Sequence, residues 1–196
     1  MRDVAVDACC LINLLAAGTI LPDPPASVAK GKAPRPKGRI SALARTLHVP
    51  GVVASESLYL LQPDDNDDSK LIKTPIDLTR RFDVGLLVQC EVDGEAETNL
   101  FVRFATALDD GEAACMAIAR NRGWTLATDD RPATNLAGQF DIPVITTAEL
   151  VKEWARKNKS TRSEITRTLL NIQRFARFVP RPSSPGAKWW YAHTAK

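Results

Sequence analysis

Five short apolar runs, each bordered by stretches of helical character, most constrain how this chain of 196 residues can fold. The runs fall at residues 2–7 (RDVAVD), 48–50, 85–92 (GLLVQCEV), 124–128 (WTLAT) and 143–145. Helices are predicted over residues 9–17, 40–47, 53–61, 95–107, 111–121 and 130–138. Strands alternating with helices over the first 150 residues argue for a parallel sheet covered on both faces.

Two further segments interrupt that pattern. Residues 22–39 (PDPPASVAKGKAPRPKGR) are rich in Pro, Lys and Gly and read as an extended basic loop. Residues 62–70 contain PDDNDD, an acidic turn without the Gly and terminal Glu of an EF-hand, and read as a solvated loop. Beyond residue 146 two more helices are predicted, at 147–157 and 162–178. Ile165, Leu169, Ile172 and Ala176 form an apolar stripe on the second. Residues 180–196 read as an irregular tail holding Trp189, Trp190 and Tyr191. The expected organisation is an α/β domain over residues 1–150, with residues 22–39 an insertion. A helical, basic extension and tail follow over residues 151–196.

Composition narrows the chemistry. No apolar run approaches the roughly 20 residues of a membrane span. The run at 8–17 is broken by Asn13 and follows an acid, unlike a signal peptide, so a cytoplasmic location is expected by default. Four cysteines without any CxxC spacing and two histidines, His48 and His193, do not suit a structural zinc site or a histidine base. Catalysis, if present, runs on carboxylates. Residues 151–196 hold 11 Lys and Arg against 2 acids, about +9, whereas the first 150 residues hold 15 against 21, about −6. An acidic body with a basic tail suits a polyanion-binding enzyme, although a basic helix can also be merely solvated.

The acids fall at telling places. Asp7 ends the first predicted strand, and Glu56 lies in the first turn of the helix after the second. Glu112 opens an Ala-rich helix, and Asp129 and Asp130 follow WTLAT directly. Open parallel sheets bind ligands beyond the carboxyl ends of their strands, so separate segments deliver acids to one rim. Clustered carboxylates repel each other unless a cation is present, and hard oxygen donors select Mg²⁺ or Mn²⁺. Such a site points to phosphodiester hydrolysis. Singly, each acid also has a structural explanation. Glu56 or Glu112 can favour a helix dipole, Asp130 can cap a helix, and Asp129 can be a loop residue.

At this point a family resemblance becomes specific. VAVDACCLINLLAAG resembles the opening motif of PIN domains, and VPGVVASESLYLL is similar to their second motif, with its acid at Glu56. DDGEAACMAIARNRGWTLATDDRPA resembles the third and fourth, with acids at Glu112, Asp129 and Asp130. Together the motifs cover residues 3–150. The resemblance implies a Rossmann-like α/β/α sandwich with a central parallel sheet that binds Mg²⁺ or Mn²⁺ and cleaves RNA. Small PIN domains of this kind are often VapC-like toxins of type II toxin–antitoxin pairs, which implies a homodimer and a small antitoxin as partners. Glu112 stands where many such toxins have Asp, and Cys9 where Ser, Thr or Asn often supports the first acid.

In this reading Asp7, Glu112 and Asp130 bind the metal, with Glu56 and Asp129 completing the catalytic set. Thr128 is placed to hydrogen-bond an acid or a phosphate. Lys30, Lys32, Arg35, Lys37 and Arg39, with Arg167, Arg174 and Arg177, either grip an RNA backbone or are solvated. Trp189, Trp190 and Tyr191 either stack on bases or dock the tail. Rival readings are an RNA-processing or DNA-directed PIN nuclease and a non-catalytic PIN binding module. An aspartyl-phosphate phosphatase would want Asp-x-Asp after the first strand, where this chain has Cys9.

Overall fold

The strand Arg2–Val6 (β1) is followed within one residue by helix α1, Ala8–Ala16, and this abrupt turn sets the architecture. The computed structural model describes residues 2–24, 43–64 and 67–195. Four more strands join β1: Arg45–Pro50 (β2), Val88–Cys90 (β5), Thr125–Ala127 (β6) and Val144–Ile145 (β7). They form one sheet in the order β5-β2-β1-β6-β7, with every neighbouring pair parallel. Val4, Ala5 and Val6 are fully buried, as expected of a central strand covered on both faces.

Helices supply the two covers. Helix α5, Asp110–Arg122, packs on β1, β2 and β6, and is flanked by α2 (Gly51–Ser55), α4 (Gly94–Phe104) and α6 (Arg131–Gln139). Its Ala-rich run from Ala113 to Ala119 is entirely buried, because small side chains let a helix lie close against a sheet. Helix α1 packs with α7 (Thr147–Lys157) and α8 (Arg162–Phe175). The result is the α/β/α sandwich expected from the sequence. Full burial of Leu11, Leu14, Met116, Ile118, Leu126, Leu150 and Leu169 contributes about 1.5–3 kcal/mol for each side chain.

Local signals start and stop these helices. Asp7, Asp109 and Asp130 each accept a backbone N–H as N-caps of α1, α5 and α6. Thr146 with Glu149, and Thr161 with Glu164, form capping boxes at α7 and α8. Gly123, at φ 66°, ends α5 in the left-handed conformation that glycine adopts freely.

Three expectations are corrected. Residues 45–47, expected as helix, belong to β2 and pair with β1 from Arg2↔Arg45 to Ala5↔His48. Residues 40–42 of that expected helix lie outside the described residues, as do residues 25–39 of the Pro/Lys-rich segment. The helix expected at 53–61 ends at Ser55; the chain then forms Tyr59–Asp64 (β3), which pairs antiparallel with Asp67–Pro75 (β4). The acidic turn at 62–70 is therefore the tip of a two-stranded hairpin, its residues 65–66 lying outside the described ones. Pairing between distant residues decides a sequence that locally suits either structure. Finally, the irregular tail contains a helix, α9, Ala187–Thr194, stabilised by burying Ala187 and Trp190. A short helix, α3 (Thr79–Asp83), links the hairpin to β5.

The four cysteines are free; Cys10, Cys90 and Cys115 are buried, but Cys9 is exposed. Among the described residues no helix is long and apolar enough to cross a membrane.

Candidate active site

β1 leads through α1 toward β2 on one side of the sheet, and β6 leads through α6 to β7 on the other. The crevice between their carboxyl ends is the topological switch point, where such sheets bind ligands. Asp7 follows β1 immediately, and Thr128, Asp129 and Asp130 follow β6.

Asp7 is 2% exposed. Its Oδ1 accepts from the Cys10 amide at 2.8 Å, and the Cys9 Sγ lies 3.2 Å from both carboxylate oxygens. The Cys9 thiol thus takes the supporting place that a hydroxyl or amide takes in related motifs. Burial raises the Asp7 pKa to about 6, against hydrogen bonds from Thr128, Cys10 and Cys9; the nearby Asp129 charge raises it further. The Thr128 hydroxyl also accepts from the Asp130 amide at 3.0 Å, so one side chain links the two acids.

Glu112 sits in the first turn of α5, its amide held by Asp109 Oδ1 at 2.8 Å. Burial lifts its pKa to about 7, and the charges of Asp109, Asp130 and Asp7 add to the effect. Asp130 caps α6 through Oδ1, which accepts the Ala133 amide at 2.8 Å.

Asp129 plays a different part. It accepts from the Thr147 amide at 3.1 Å and from the Thr147 hydroxyl, and from Asn13 Nδ2 at 3.2 Å and Cys10 Sγ at 3.3 Å. Its carboxylate therefore ties α1 to the start of α7. Burial raises its pKa although these donors pull it down. Glu56 lies apart. It is the C-cap of α2 and not a first-turn residue, because the helix starts at Gly51 and ends one residue before it. Its carboxylate rests against Gly111, where any Cβ would overlap it. Partial burial, then the Asp109 charge, raises its pKa.

Glu112, Asp129 and Asp130 line a cleft of about 470 Å³, and Arg177, Phe178 and Arg181 line it too. Asp7 does not line it, but Cys9 and Asn13 do. Among the described residues, the one set of three candidate ligand atoms lying within 4.8 Å of one another is that of Asp7, Cys9 and Cys10. The oxygens of Asp7, Glu112 and Asp130 are therefore more widely spread. Direct coordination of one Mg²⁺, with Mg–O distances of about 2.1 Å, requires these side chains to draw together or to act through water. Burial pushes the Cys10 thiol far above its ordinary range, so it is a hydrogen-bond donor rather than a soft ligand.

Asn13 and Thr147 were not singled out as site residues from the sequence. Asn13 carried a signal, as the lone polar residue within the apolar run of α1. Thr147 and Arg181 carried none before the packing of α7 and the chain after α8 was known.

The fold and cleft define an α/β/α protein with acids gathered at the switch point of a parallel sheet. The PIN-domain family model matches residues 78–182, just over half of the chain, and the chain belongs to the PIN-domain family. PIN domains are generally metal-dependent nucleases. Comparison with curated proteins and with solved structures gives no match.

Proposed function

We propose that this PIN domain is a Mg²⁺- or Mn²⁺-dependent endoribonuclease and serves as the toxin of a type II toxin–antitoxin pair. One observation carries the reading. Asp7 is buried without a Lys or Arg partner among the described residues, beside a Glu112 whose pKa is raised to about 7. Oxygen donors that lack a counter-charge suit a hard divalent cation. Asp7, Glu112 and Asp130 are the residues that would hold it. When bound, such an ion lowers the pKa of a water and screens charge on a phosphoryl group.

The chain's own residues do the rest. Thr128 orients Asp7 and steadies Asp130, while Asp129, locked by Asn13 and Thr147, fixes α1 and α7 around the crevice. Hydrolysis adds the oxygen of water to phosphorus and breaks the bond to the 3′ oxygen, which takes a proton. The products carry a 3′-hydroxyl and a 5′-phosphate. Motif resemblance supports the toxin role, with a small antitoxin covering the cleft and a homodimer as the working unit.

The test is cleavage of an end-labelled single-stranded RNA by the full chain with Mn²⁺, beside the same sequence as DNA. Cleavage of RNA to 5′-phosphate products, abolished by EDTA and by Asp7→Asn, is expected. Cleavage retained by Asp7→Asn, or independent of metal, contradicts the nuclease assignment. Growth arrest on bacterial expression that depends on Asp7 tests the toxin role, and unimpaired growth refutes it.

A further inference from the structure

Besides the acids, the cleft is lined by the strap that joins α8 to α9. Arg177 and Arg181 lie on this strap. Among the described residues, neither makes a side-chain hydrogen bond or an ion pair, although Glu112, Asp129 and Asp130 line the same cleft. Two exposed arginines that share a cleft lining with carboxylates without pairing to them remain available to an anion.

The strap is fastened at several points. The Phe178 ring meets the fully buried Trp190 edge-on, at 5.7 Å and 83°. Tyr191 Oη donates to the Pro180 carbonyl at 2.6 Å, and Thr146 Oγ1 donates to that of Pro185 at 3.1 Å. Gly186, at φ 79°, brings the strap so close to α7 that a Cβ would stand 2.9 Å from that of Ala148. Arg177, at φ 53°, follows the Ala176 C-cap of α8 and ends that helix in the left-handed conformation, as Lys159 does after α7.

We infer that Arg177 and Arg181 form a phosphate subsite that holds the backbone of a single polynucleotide strand beside the acids. The inference rests on the nuclease reading and gives it a substrate grip. A polyanion entering a cleft lined only by acids would be repelled, and two cations in the same lining offset that repulsion. The planar guanidinium fork matches phosphate oxygens in pairs, which a lysine does not. Val179, 49% exposed between the two arginines in sequence, offers an apolar surface to an unpaired base.

The test is fluorescence anisotropy of a labelled oligouridylate RNA bound to the full-length Asp7→Asn protein, which separates binding from turnover. Adding Arg177→Ala and Arg181→Ala together should lower affinity about tenfold or more, the loss of charged hydrogen bonds. The slope of log affinity against log salt should fall by about 1.4, for two phosphates on a single strand. Arg177→Lys with Arg181→Lys should restore the slope but not the full affinity. The Ala pair, in an otherwise wild-type chain, should not weaken Mn²⁺ binding, because it removes only positive charge from the cleft. Wild-type affinity and slope in the Ala pair overturn the subsite, and do so even if the wild-type chain cleaves RNA normally. If the wild-type chain cleaves nothing but the slope still falls, the nuclease reading fails and the subsite stands.

Discussion

Replacing Asp7 by Asn should stabilise the metal-free protein at alkaline pH, by an amount set by the burial of this carboxylate. Burial moves the group from an ordinary pKa of 3.8 to about 6. At about 1.36 kcal/mol per pH unit, keeping it ionised in the fold costs about 3 kcal/mol. The folded value lies above the unfolded one. The cost is therefore absent below about pH 4, grows between pH 4 and 6, and is complete above pH 6. Asn retains the N-cap bond from the Cys10 amide and removes the charge. Its amide group is a poorer partner for Thr128 and Cys9, so a gain of about 1–3 kcal/mol is expected at pH 8. For a chain of this size that raises Tm by about 2–4 °C per kcal/mol. Calorimetry of both proteins in EDTA, from pH 4.5 to 8.5, measures it directly. Mn²⁺ should raise the Tm of the wild-type chain alone and close or reverse the gap. A Tm difference that stays flat across this range, or a more stable wild-type chain at pH 8 in EDTA, refutes the reasoning.

Other perturbations separate the parts of the site from its scaffold. Thr147→Val leaves Asp129 without its hydroxyl donor; thermal denaturation should show a loss of about 1–3 kcal/mol. Mn²⁺ affinity, read by calorimetric titration, should change far less than in Asp7→Asn, because Thr147 bonds Asp129 and none of the three residues that would hold the ion. Glu97, 1% exposed, accepts Arg122 Nε at 2.7 Å and its Nη2 at 2.8 Å, joining α4 to α5 away from the cleft. Glu97→Ala should therefore cost about 3 kcal/mol in denaturant unfolding while RNA cleavage at 25 °C stays unchanged. Gly111→Ala should push aside the flexible end of Glu56 and change stability by no more than about 1 kcal/mol. Any loss of cleavage in that variant measures what Glu56 contributes.

Much of the site could be read from strand ends. Asp7 closes an apolar run that becomes an apolar helix, and Asp129 and Asp130 close another, so a parallel sheet brings them to one rim whatever the loops do. Glu112 follows because Asp109 and Gly111 mark the start of a buried helix. Local pattern failed where distant pairing decides. SESLYLL suits a helix as well as a strand, and only β4, past the acidic turn, draws it into a hairpin. That pairing also cuts α2 short and moves Glu56 from a helix start to a helix end. The separate role of Asp129 was hidden because its donors, Asn13 and Thr147, lie 116 and 18 residues away in the chain. The docked tail was hidden for a similar reason. Its prolines read as irregular, but burial of Ala187 and Trp190 and the bonds from Tyr191 to Pro180 and from Thr146 to Pro185 order α9 and the strap before it.

The central claim is that acids far apart in the chain form one divalent-cation site, and Mn²⁺ titration followed by electron paramagnetic resonance tests it most directly. The wild-type chain is expected to bind at pH 8. Affinity should fall as pH drops through 7 and then 6, because protons compete first at Glu112 and then at Asp7. Asp7→Asn and Glu112→Gln should each lose that binding. A wild-type chain that binds no Mn²⁺, or an Asp7→Asn chain that binds it equally well at every pH, contradicts the claim.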